Sequence, residues 1–351
     1  MHTSTPKKIL IAPLDWGLGH TSRCIALAMH YHQQGHRIYF AGNAIQQQIF
    51  TATCSFVTPI ALEGYGVTYP ASGWAFMPKM IMQLPKIQKT ILREQKWLEE
   101  QMKTYQFDVI LSDNRYGLHH PEATSILLTH QLHIQTGTKL GDAVIKAKTK
   151  LLLQAFDEVW VVDQEGADNL AGKLSRKLQL SKPIQYLGWL SQFQFQQSAT
   201  EHPMQDKKYI LAILSGPEPM RTQLETLLLA QMQAQPSVHF VMIGGTVNKP
   251  PTIPTNVHYL PLADARVIYN YLLHCEYVIS RSGYSTVMDV ICMRKPAVFI
   301  PTPGQTEQVY IAKKLSADGL YLCCSQKTFQ LPKSAPEVLH SYTFTTRFPK
   351  I

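Results

Sequence analysis

The chain has 351 residues, of which 45% are hydrophobic and 16% are charged, and its formal net charge is +9. This length exceeds one typical α/β core and predicts a globular protein of two domains. No apolar run reaches the roughly 20 residues that a membrane-spanning helix needs, and the chain enters a short strand near its start without a signal-like segment. We therefore expect neither a transmembrane helix nor a secretory signal.

The positive charge is compatible with several kinds of binding partner. The Lys and Arg residues are dispersed and accompany no nucleic-acid-binding motif, so nucleic acid is not expected as a partner. Anionic lipid, a phosphorylated substrate and no special partner remain as alternatives. The six cysteines are scattered, with no CxxC and no zinc-like His spacing, which is typical of reduced thiols in a cytoplasmic protein without a metal site.

Apolar strands alternate with amphipathic helices along the first half of the chain. A helix is predicted from about residue 21 to residue 34, and the predicted strands are Lys8–Pro13, Arg37–Ala41, Val109–Ser112, Ser125–Thr129 and Val159–Val162. Such alternation is typical of parallel sheets covered by helices. The first half, residues 1–190, is therefore predicted to be one doubly wound domain.

The loop after the first strand is the first candidate site. Gly17 and Gly19 allow a tight turn and close backbone approach to a ligand, and His20 follows at the start of a helix. The third glycine of the dinucleotide fingerprint is missing, because position 22 is Ser, so an NAD enzyme is disfavoured. A histidine here is suited to accept a proton, although a capping or packing histidine is the alternative.

Two further segments of the first half attract attention. Asp113 ends a predicted strand on the side where ligands bind, and it is a second candidate for the base, or else a solvated carboxylate. The segment from Tyr65 to Trp97 interleaves aromatic and methionine residues with lysines and arginines. It either rests on an anionic membrane and holds a lipid tail, or it is a partly buried helix that closes the acceptor pocket.

The second half repeats the strand–helix alternation after a polar, Gln-rich segment, residues 191–207, which we interpret as the linker. The second domain is predicted to cover residues 208–333, with strands at Lys208–Leu214, Val238–Ile243 and Val257–Tyr259. Its early strands end in residues suited to a diphosphate, since glycines allow close approach and a guanidinium can bind phosphate oxygens in pairs. These candidates are Ser215, Gly216, Arg221, Gly244 and Gly245.

The most informative segment runs from residue 277 to residue 308. A strand ends in Arg281-Ser282-Gly283 and a helix starts at Ser285-Thr286, where free backbone N–H groups can bind a phosphate. Asp289 follows one turn later and can accept hydrogen bonds from a ribose. After the next strand, the carboxylate of Glu307 can accept hydrogen bonds and the amide of Gln308 can both donate and accept them. Such a pair is suited to binding sugar hydroxyls.

These motifs together resemble glycosyltransferase family 28, a family of GT-B enzymes with two Rossmann-like domains facing each other across a cleft. In that family an Arg-Ser-Gly turn, an acidic residue six positions after the Gly and a Gln-Gln or Asp-Gln pair bind the donor. Asp289 and the pair Glu307-Gln308 fall on those positions, with Asp in place of Glu and Glu-Gln in place of Gln-Gln. The resemblance also implies that Leu260 lies near the nucleobase, and that His130 and Gln131 support the acceptor side with Gly17 and Gly19.

The sequence therefore predicts an inverting, metal-independent glycosyltransferase that uses a nucleotide-diphosphate sugar, most simply a UDP-sugar, with no cofactor. The acceptor is expected to be a glycan or a lipid-linked hydroxyl, at the inner face of a membrane if the latter, and no obligate protein partner is evident. A nucleotide-sugar hydrolase or epimerase, or a non-catalytic nucleotide-sugar-binding protein, could use the same residues. Residues 334–351 are predicted to form a C-terminal tail, and the sequence does not determine whether this tail returns to the first domain.

Overall fold

A computed structural model describes residues 5–68, 79, 82–133, 139–196, 207–216, 218–337 and 342–351. The described residues form two parallel sheets, each covered by helices, and together they have the predicted two-domain GT-B architecture. None of the described helices is both long enough and apolar enough to cross a bilayer.

The first sheet has seven parallel strands in the order β3-β2-β1-β4-β5-β6-β7. Its central strands are short apolar runs that are buried on both faces, as expected where helices cover a parallel sheet. The strands are β1 (Lys8–Pro13), β2 (Arg37–Gly42), β3 (Thr58–Ala61), β4 (Val109–Asp113), β5 (Thr124–Thr129), β6 (Glu158–Val161) and β7 (Ile184–Tyr186).

The α-helices in the described part of this domain are α1 (Leu18–Gln33), α2 (Ala44–Thr53), α3 (Leu84–Tyr105) and α4 (Lys139–Leu153). Helix α1 begins three residues earlier than predicted, after Gly17, whose φ of 89° lies in the left-handed region that favours glycine. Gly19 and His20 consequently lie in the first turn of α1. The start of α2 is fixed by a capping box between Asn43 and Gln46.

The second sheet has six parallel strands in the order β10-β9-β8-β11-β12-β13. The strands are β8 (Tyr209–Ile213), β9 (His239–Ile243), β10 (Val257–Leu260), β11 (Val278–Ser280), β12 (Ala297–Phe299) and β13 (Leu322–Cys323). The helices are α5 (Met220–Gln233), α6 (Ala265–His274), α7 (Tyr284–Cys292) and α8 (Thr306–Ala317). Both sheets direct the carboxyl ends of their strands towards the space between the domains, where ligands bind in folds of this kind.

The segment between the sheets differs in part from the predicted linker. Ser191 is fully buried, and Phe193, 3% exposed, packs near Tyr269 of α6. The beginning of residues 191–207 is thus a packed connection and not a solvated spacer, while residues 197–206 lie outside the described part of the chain.

Residues 342–351 return to the first domain. Thr346 pairs with Gly188 in an antiparallel bridge, and the backbone N–H of Arg347 donates to the carbonyl of Leu187 at 2.6 Å. The hydroxyl of Tyr31 donates to the carbonyl of Pro349, and the ring of His30 stacks on that of Phe348. The chain therefore passes between the domains twice.

Candidate active site between the two domains

A cleft between the domains brings together most of the residues that the sequence singled out. It is lined from both sides, and the first turn of α1 faces the first turns of α7 and α8. The predicted residues that line it are Gly17, Gly19, His20, His130, Ser215, Gly216, Gly245, Gly283, Ser285, Thr286, Asp289, Glu307 and Gln308. Gly19 lies so close to Ser285 that a Cβ atom would come within 3.0 Å of its hydroxyl oxygen, so a side chain here would push the domains apart.

His20 lies in this cleft, and one of its ring nitrogens contacts the buried carboxylate of Asp113. Its Nδ1 is 3.1 Å from Oδ1 of Asp113, and its side chain is 15% exposed. NH2 of Arg23 also lies 3.0 Å from Nδ1, but it already donates to Oδ1 of Asp113. Because the carboxylate can only accept, we assign the proton of the His20–Asp113 contact to Nδ1, which leaves Nε2 as the basic nitrogen. Burial lowers the pKa of His20 more than the neighbouring Asp113 carboxylate raises it. The imidazole is therefore neutral near pH 7, as a base must be.

Asp113 does not fit the alternative role of base. Its carboxylate is fully buried at the end of β4 and also accepts from Nε of Arg23 at 2.6 Å. Burial alone would raise the pKa of Asp113, but the charges of Arg23 and His20 hold it well below its usual range. A fully buried carboxylate with such a low pKa is a poor proton acceptor, and its contact with His20 indicates a positioning role.

Arg23 is a site residue that the sequence reasoning missed. It lies one turn after His20 on α1, is 1% exposed, and lines the cleft. Besides its ion pair with Asp113, its NH1 group is 3.1 Å from Nδ1 of His130. The guanidinium thus links the ends of β4 and β5 beneath the cleft. An arginine followed by the apolar run Cys24-Ile25-Ala26-Leu27 is the signal that could have found it.

His130 connects the two domains. Its Nε2 is 2.9 Å from Oε1 of Glu307 in the first turn of α8, and its ring stacks on Tyr284 at a centroid distance of 4.3 Å. Charge from His130 also lowers the pKa of Glu307, although burial of that carboxylate opposes the effect. Glu307, predicted as a sugar ligand, is thus already bonded to the first domain. Gln131, by contrast, does not line the cleft.

Asp289 is held by the connection between the domains. Its Oδ1 accepts from the hydroxyl of Ser191 at 2.6 Å, and its Oδ2 accepts from the side-chain amide of Gln192 at 3.0 Å. Burial raises the pKa of Asp289 to about 7 despite these bonds. The carboxylate predicted to bind a ribose is therefore occupied by two side chains of residues 191–196, which a ribose would have to replace.

These contacts narrow the cleft between the domains. Its cavity volume is about 210 Å³, which is below the roughly 300–1,000 Å³ of ordinary ligand pockets. The bond between His130 and Glu307 joins the two domains, and the bond between Ser191 and Asp289 joins the connecting segment to the second domain. Entry of a ligand as large as a nucleotide sugar requires that the domains separate and that these bonds exchange.

The structure does not bring Arg221, the predicted diphosphate ligand, to the cleft. Its guanidinium is 6% exposed and bonds to Glu218 at 2.6 Å, to Glu225 at 2.8 Å and to the carbonyl of Gly244 at 3.1 Å. Arg221 does not line the cleft. These bonds of the guanidinium fix α5 to the end of β9, which is a structural role.

Arg281 and Ser282 also turn away from the cleft. Arg281 is 1% exposed and donates to the carbonyls of Ile300, Pro301 and Met220, while burial lowers its pKa to about 10. The hydroxyl of Ser282 donates to the carbonyl of Gln308 at 2.9 Å. Neither side chain lines the cleft, and their donor contacts remain predictions. The two side chains fix the turn that aims Gly283 and Gln308 into the cleft.

Two more predicted positions support the site from outside it. Gly244 lies against the ring of Tyr259, where a Cβ atom would collide with the hydroxyl, and Leu260 packs against the core. Neither lines the cleft, although Leu262, two residues after Leu260, does. Gly245, with a φ of 69°, does line it.

Comparison with known proteins matches both the second domain and the whole fold. Residues 204–346 match the family described as "Glycosyltransferase family 28 C-terminal domain". An uncharacterized glycosyltransferase of Methanosarcina acetivorans is 24% identical over 89% of this chain and 84% of its own length.

Solved structures agree on the architecture. The calicheamicin glycosyltransferase is 14% identical and superposes with a TM-score of 0.61, over 93% of this chain and 87% of its own. The spinosyn rhamnosyltransferase in complex with thymidine diphosphate is 15% identical, with a TM-score of 0.59 over 90% and 86% of the two chains. MurG of Acinetobacter baumannii is 13% identical, with a TM-score of 0.50 over 93% and 88%. The chain therefore has the GT-B fold, and its residues 204–346 are similar to the C-terminal domain of glycosyltransferase family 28.

Proposed function

We propose that this chain is an inverting glycosyltransferase that transfers a sugar from a nucleotide-diphosphate donor to a hydroxyl acceptor. The observation that carries the proposal is the His20–Asp113 pair at the cleft, with Nδ1 held and Nε2 without a partner in the described part of the chain. The pair faces the helix start at residues 283–286, where family 28 proteins bind the donor. A base on one side and an anion-binding helix start on the other fit displacement at an anomeric carbon.

The chemistry follows from this arrangement. Nε2 of His20 accepts the proton of the acceptor hydroxyl as its oxygen attacks the anomeric carbon. The bond from that carbon to the donor's diphosphate oxygen breaks, and its electrons leave with the nucleoside diphosphate. Attack from the face opposite the leaving group inverts the anomeric centre. Asp113 stabilises the imidazolium that forms, as the partner of a catalytic histidine does.

The charge on the leaving diphosphate is assigned to the start of α7. Gly283 precedes this nine-residue helix, and the backbone N–H groups of its first turn are joined by the hydroxyls of Ser285 and Thr286 on the cleft wall. These preorganised dipoles replace the role predicted for Arg221. The absence of an Asp-x-Asp motif from the sequence supports a reaction without a metal ion.

The donor sugar is assigned to Glu307 and Gln308, and the ribose to Asp289. The backbone N–H of Thr302 donates to Oε1 of Gln308 at 2.8 Å, which fixes its amide with the NH₂ group directed away. Gln308 is then a donor to a sugar hydroxyl, and Glu307 is an acceptor once it leaves His130. The spinosyn rhamnosyltransferase bound to thymidine diphosphate supports a nucleoside-diphosphate donor, while the nucleobase stays open between UDP and other nucleotides.

The acceptor in this proposal is lipid-linked. In the described part of the segment from Tyr65 to Trp97, Met82 is 80% exposed and Leu92 is 59% exposed. Lys89 and Lys96 lie on the same side of α3 at helical spacing, so apolar and cationic groups share one surface. Such a surface suits reversible attachment to anionic lipid, with about 1 kcal/mol for each basic residue. This attachment, and the cytoplasmic location expected from the cysteines, remain predictions.

Thermal shift with UDP-, GDP-, dTDP- and CMP-sugars tests the donor class without any acceptor. A nucleotide sugar that binds only the folded state raises the melting temperature. Product analysis with the best donor then separates the three functions. Free sugar without an acceptor indicates a hydrolase, an isomeric nucleotide sugar indicates an epimerase, and binding without turnover on any acceptor indicates a binding protein.

Vesicle co-sedimentation tests the lipid surface. Binding to anionic but not neutral vesicles, lost in high salt and weakened by Met82→Ser with Leu92→Ser, is the expected result. Leu151→Ser is the matched control, since Leu151 is 68% exposed on α4. A protein that stays in the supernatant with both lipids contradicts membrane attachment and leaves the transfer reaction itself untouched.

A further inference from the structure

A second cavity lies away from the cleft, between the first domain and the side of α8. Its volume is about 440 Å³, within the range of pockets that hold small molecules. One wall is the segment 164–177 that follows β6, and the other is formed by Tyr310 and Lys314 of α8. None of the predicted site residues lines it.

The lining is strongly cationic. Lys173, Arg176 and Lys177 converge on the cavity from one wall, and within the described ranges none of them forms an ion pair. Lys314 adds a fourth cation that is paired with Asp318 at 2.5 Å, and Glu165 is the one acidic residue in the lining. The excess of positive charge favours an anion, and phosphate oxygens suit both guanidinium and ammonium groups.

The wall is built around a buried carboxylate and is therefore preorganised. Asp163 is fully buried and accepts from the backbone N–H groups of Leu170 and Ala171, from the hydroxyl of Ser175 and from the indole of Trp189. On the other side, the backbone N–H of Lys173 donates to the hydroxyl of Tyr310 at 2.8 Å. The cationic segment is thus held both to its own sheet and to α8, which lowers the ordering cost of binding.

The same wall contains a hydrogen-bond acceptor without a partner among the described residues, the side-chain oxygen of Asn169, which indicates the kind of ligand. The side-chain amide of Asn169 donates to the carbonyl of Gly166 at 2.6 Å, which fixes which end carries oxygen. Its Oδ1 is buried and has no hydrogen-bond partner in the described structure. A buried acceptor without a donor is costly, so a ligand that offers a hydroxyl satisfies it. A phosphorylated sugar or polyol offers several such donors, more than the P–OH groups that inorganic phosphate keeps at neutral pH.

We infer that this cavity is a binding site for a phosphorylated sugar or similar phosphorylated polyol. Lys173, Arg176 and Lys177 hold the phosphate, and Asn169 accepts from a hydroxyl of the same molecule. The site is separate from the donor cleft, and the inference does not depend on the proposed transfer reaction. Because its walls come from both domains, the bound molecule contacts the first domain and α8 at once.

Titration calorimetry with glucose 1-phosphate, inorganic pyrophosphate and glucose tests the site. We expect glucose 1-phosphate to bind more tightly than glucose, with an affinity that falls as salt rises. Lys173→Glu with Arg176→Glu should weaken glucose 1-phosphate by about tenfold or more, as the loss of hydrogen bonds from charged groups does. Lys150→Glu, an exposed charge reversal on α4, is the matched control and should leave the affinity within about twofold.

Asn169→Ala separates this ligand class from a simple anion. It should weaken glucose 1-phosphate severalfold and pyrophosphate less, since the sugar has several hydroxyl groups that can reach Asn169 while the phosphate is held by the cations. Asp289→Ala in the cleft should change neither ligand's affinity for this cavity. Equal binding of glucose 1-phosphate by the wild type and by the folded Lys173→Glu, Arg176→Glu variant would overturn the site. So would a lack of binding by all three probes at millimolar concentration.

Discussion

Replacing His20 by Ala tests the proposed base most directly. The variant loses one hydrogen bond to a charged carboxylate, worth about 1.5–3 kcal/mol of stability. Asp113 keeps its ion pair with Arg23, so no buried charge is left unpaired and the protein should still fold. Loss of a general base should lower kcat by roughly 10²–10⁴-fold, or about 2.7–5.4 kcal/mol in activation free energy.

The assay is release of nucleoside diphosphate from the donor identified by thermal shift, at saturating donor and over a range of pH. Because the pKa of His20 is lowered from 6.5, its basic form predominates at neutral pH. Wild-type kcat should therefore be constant at and above neutral pH and fall on the acid side. His20→Ala should lose this acid limb and recover activity in part when imidazole is added.

His30→Ala is the matched control, because His30 is on the same helix but its ring stacks on Phe348 away from the cleft. Donor affinity should stay within a few fold in both variants. An unchanged kcat in His20→Ala would refute the role of base. A large loss of nucleotide affinity would show instead that His20 contacts the diphosphate.

Four further predictions concern the second domain and the reaction at its side of the cleft. Asp289→Ala should weaken donor binding by about 1.5–3 kcal/mol in calorimetry, and equal affinities would reject the ribose contact. Since the pKa of Asp289 is raised from 3.8 to about 7, its contribution to stability is greatest below about pH 4 and falls until about pH 7. Asp289→Asn should thus gain stability relative to the wild type across that window, by at most roughly 4 kcal/mol, and parallel curves of the unfolding free energy against pH would contradict this. Arg221→Ala should cost about 3–5 kcal/mol of stability by leaving Glu225 unpaired, while the donor Kd stays within a few fold; a selective loss of donor affinity would restore the predicted diphosphate contact. Turnover should persist in EDTA, and activity that is abolished by chelation and restored by magnesium or manganese would show that the helix start does not suffice.

The fold was predictable because its main signals are local. Runs such as Lys8–Pro13 and Tyr209–Ile213 are apolar, short and bounded by small residues, so both sheets were expected from the sequence. The strands that escaped prediction are short or flanking, such as β7 with three residues and β13 with two. Their strand conformation depends on a neighbour in the sheet more than on their own composition.

The site was predictable in position but not in the roles of its charged side chains. The strand ends and glycines located the cleft, since the backbone of this fold determines where those residues meet. Arg221 and Arg281 were expected at the cleft but lie away from it. Arg281 bonds the carbonyl of Ile300, 19 positions later. Arg221 bonds the carbonyl of Gly244, 23 positions later, in addition to its nearby acidic partners Glu218 and Glu225. Arg23 was missed because its partner Asp113 is ninety positions later. Spacing along a sequence does not show which acid or carbonyl a buried arginine will find.

The return of residues 342–351 makes the first domain discontinuous in sequence. Trp189 is fully buried against Tyr342 and Phe344, and the hydroxyl of Thr346 donates to its carbonyl. A fragment that ended at residue 190 would therefore expose this indole and leave an open sheet edge at Gly188, inviting aggregation. Two chain passages also tether the second domain at two points. Any movement of one domain relative to the other therefore has to be accommodated by both connections at once.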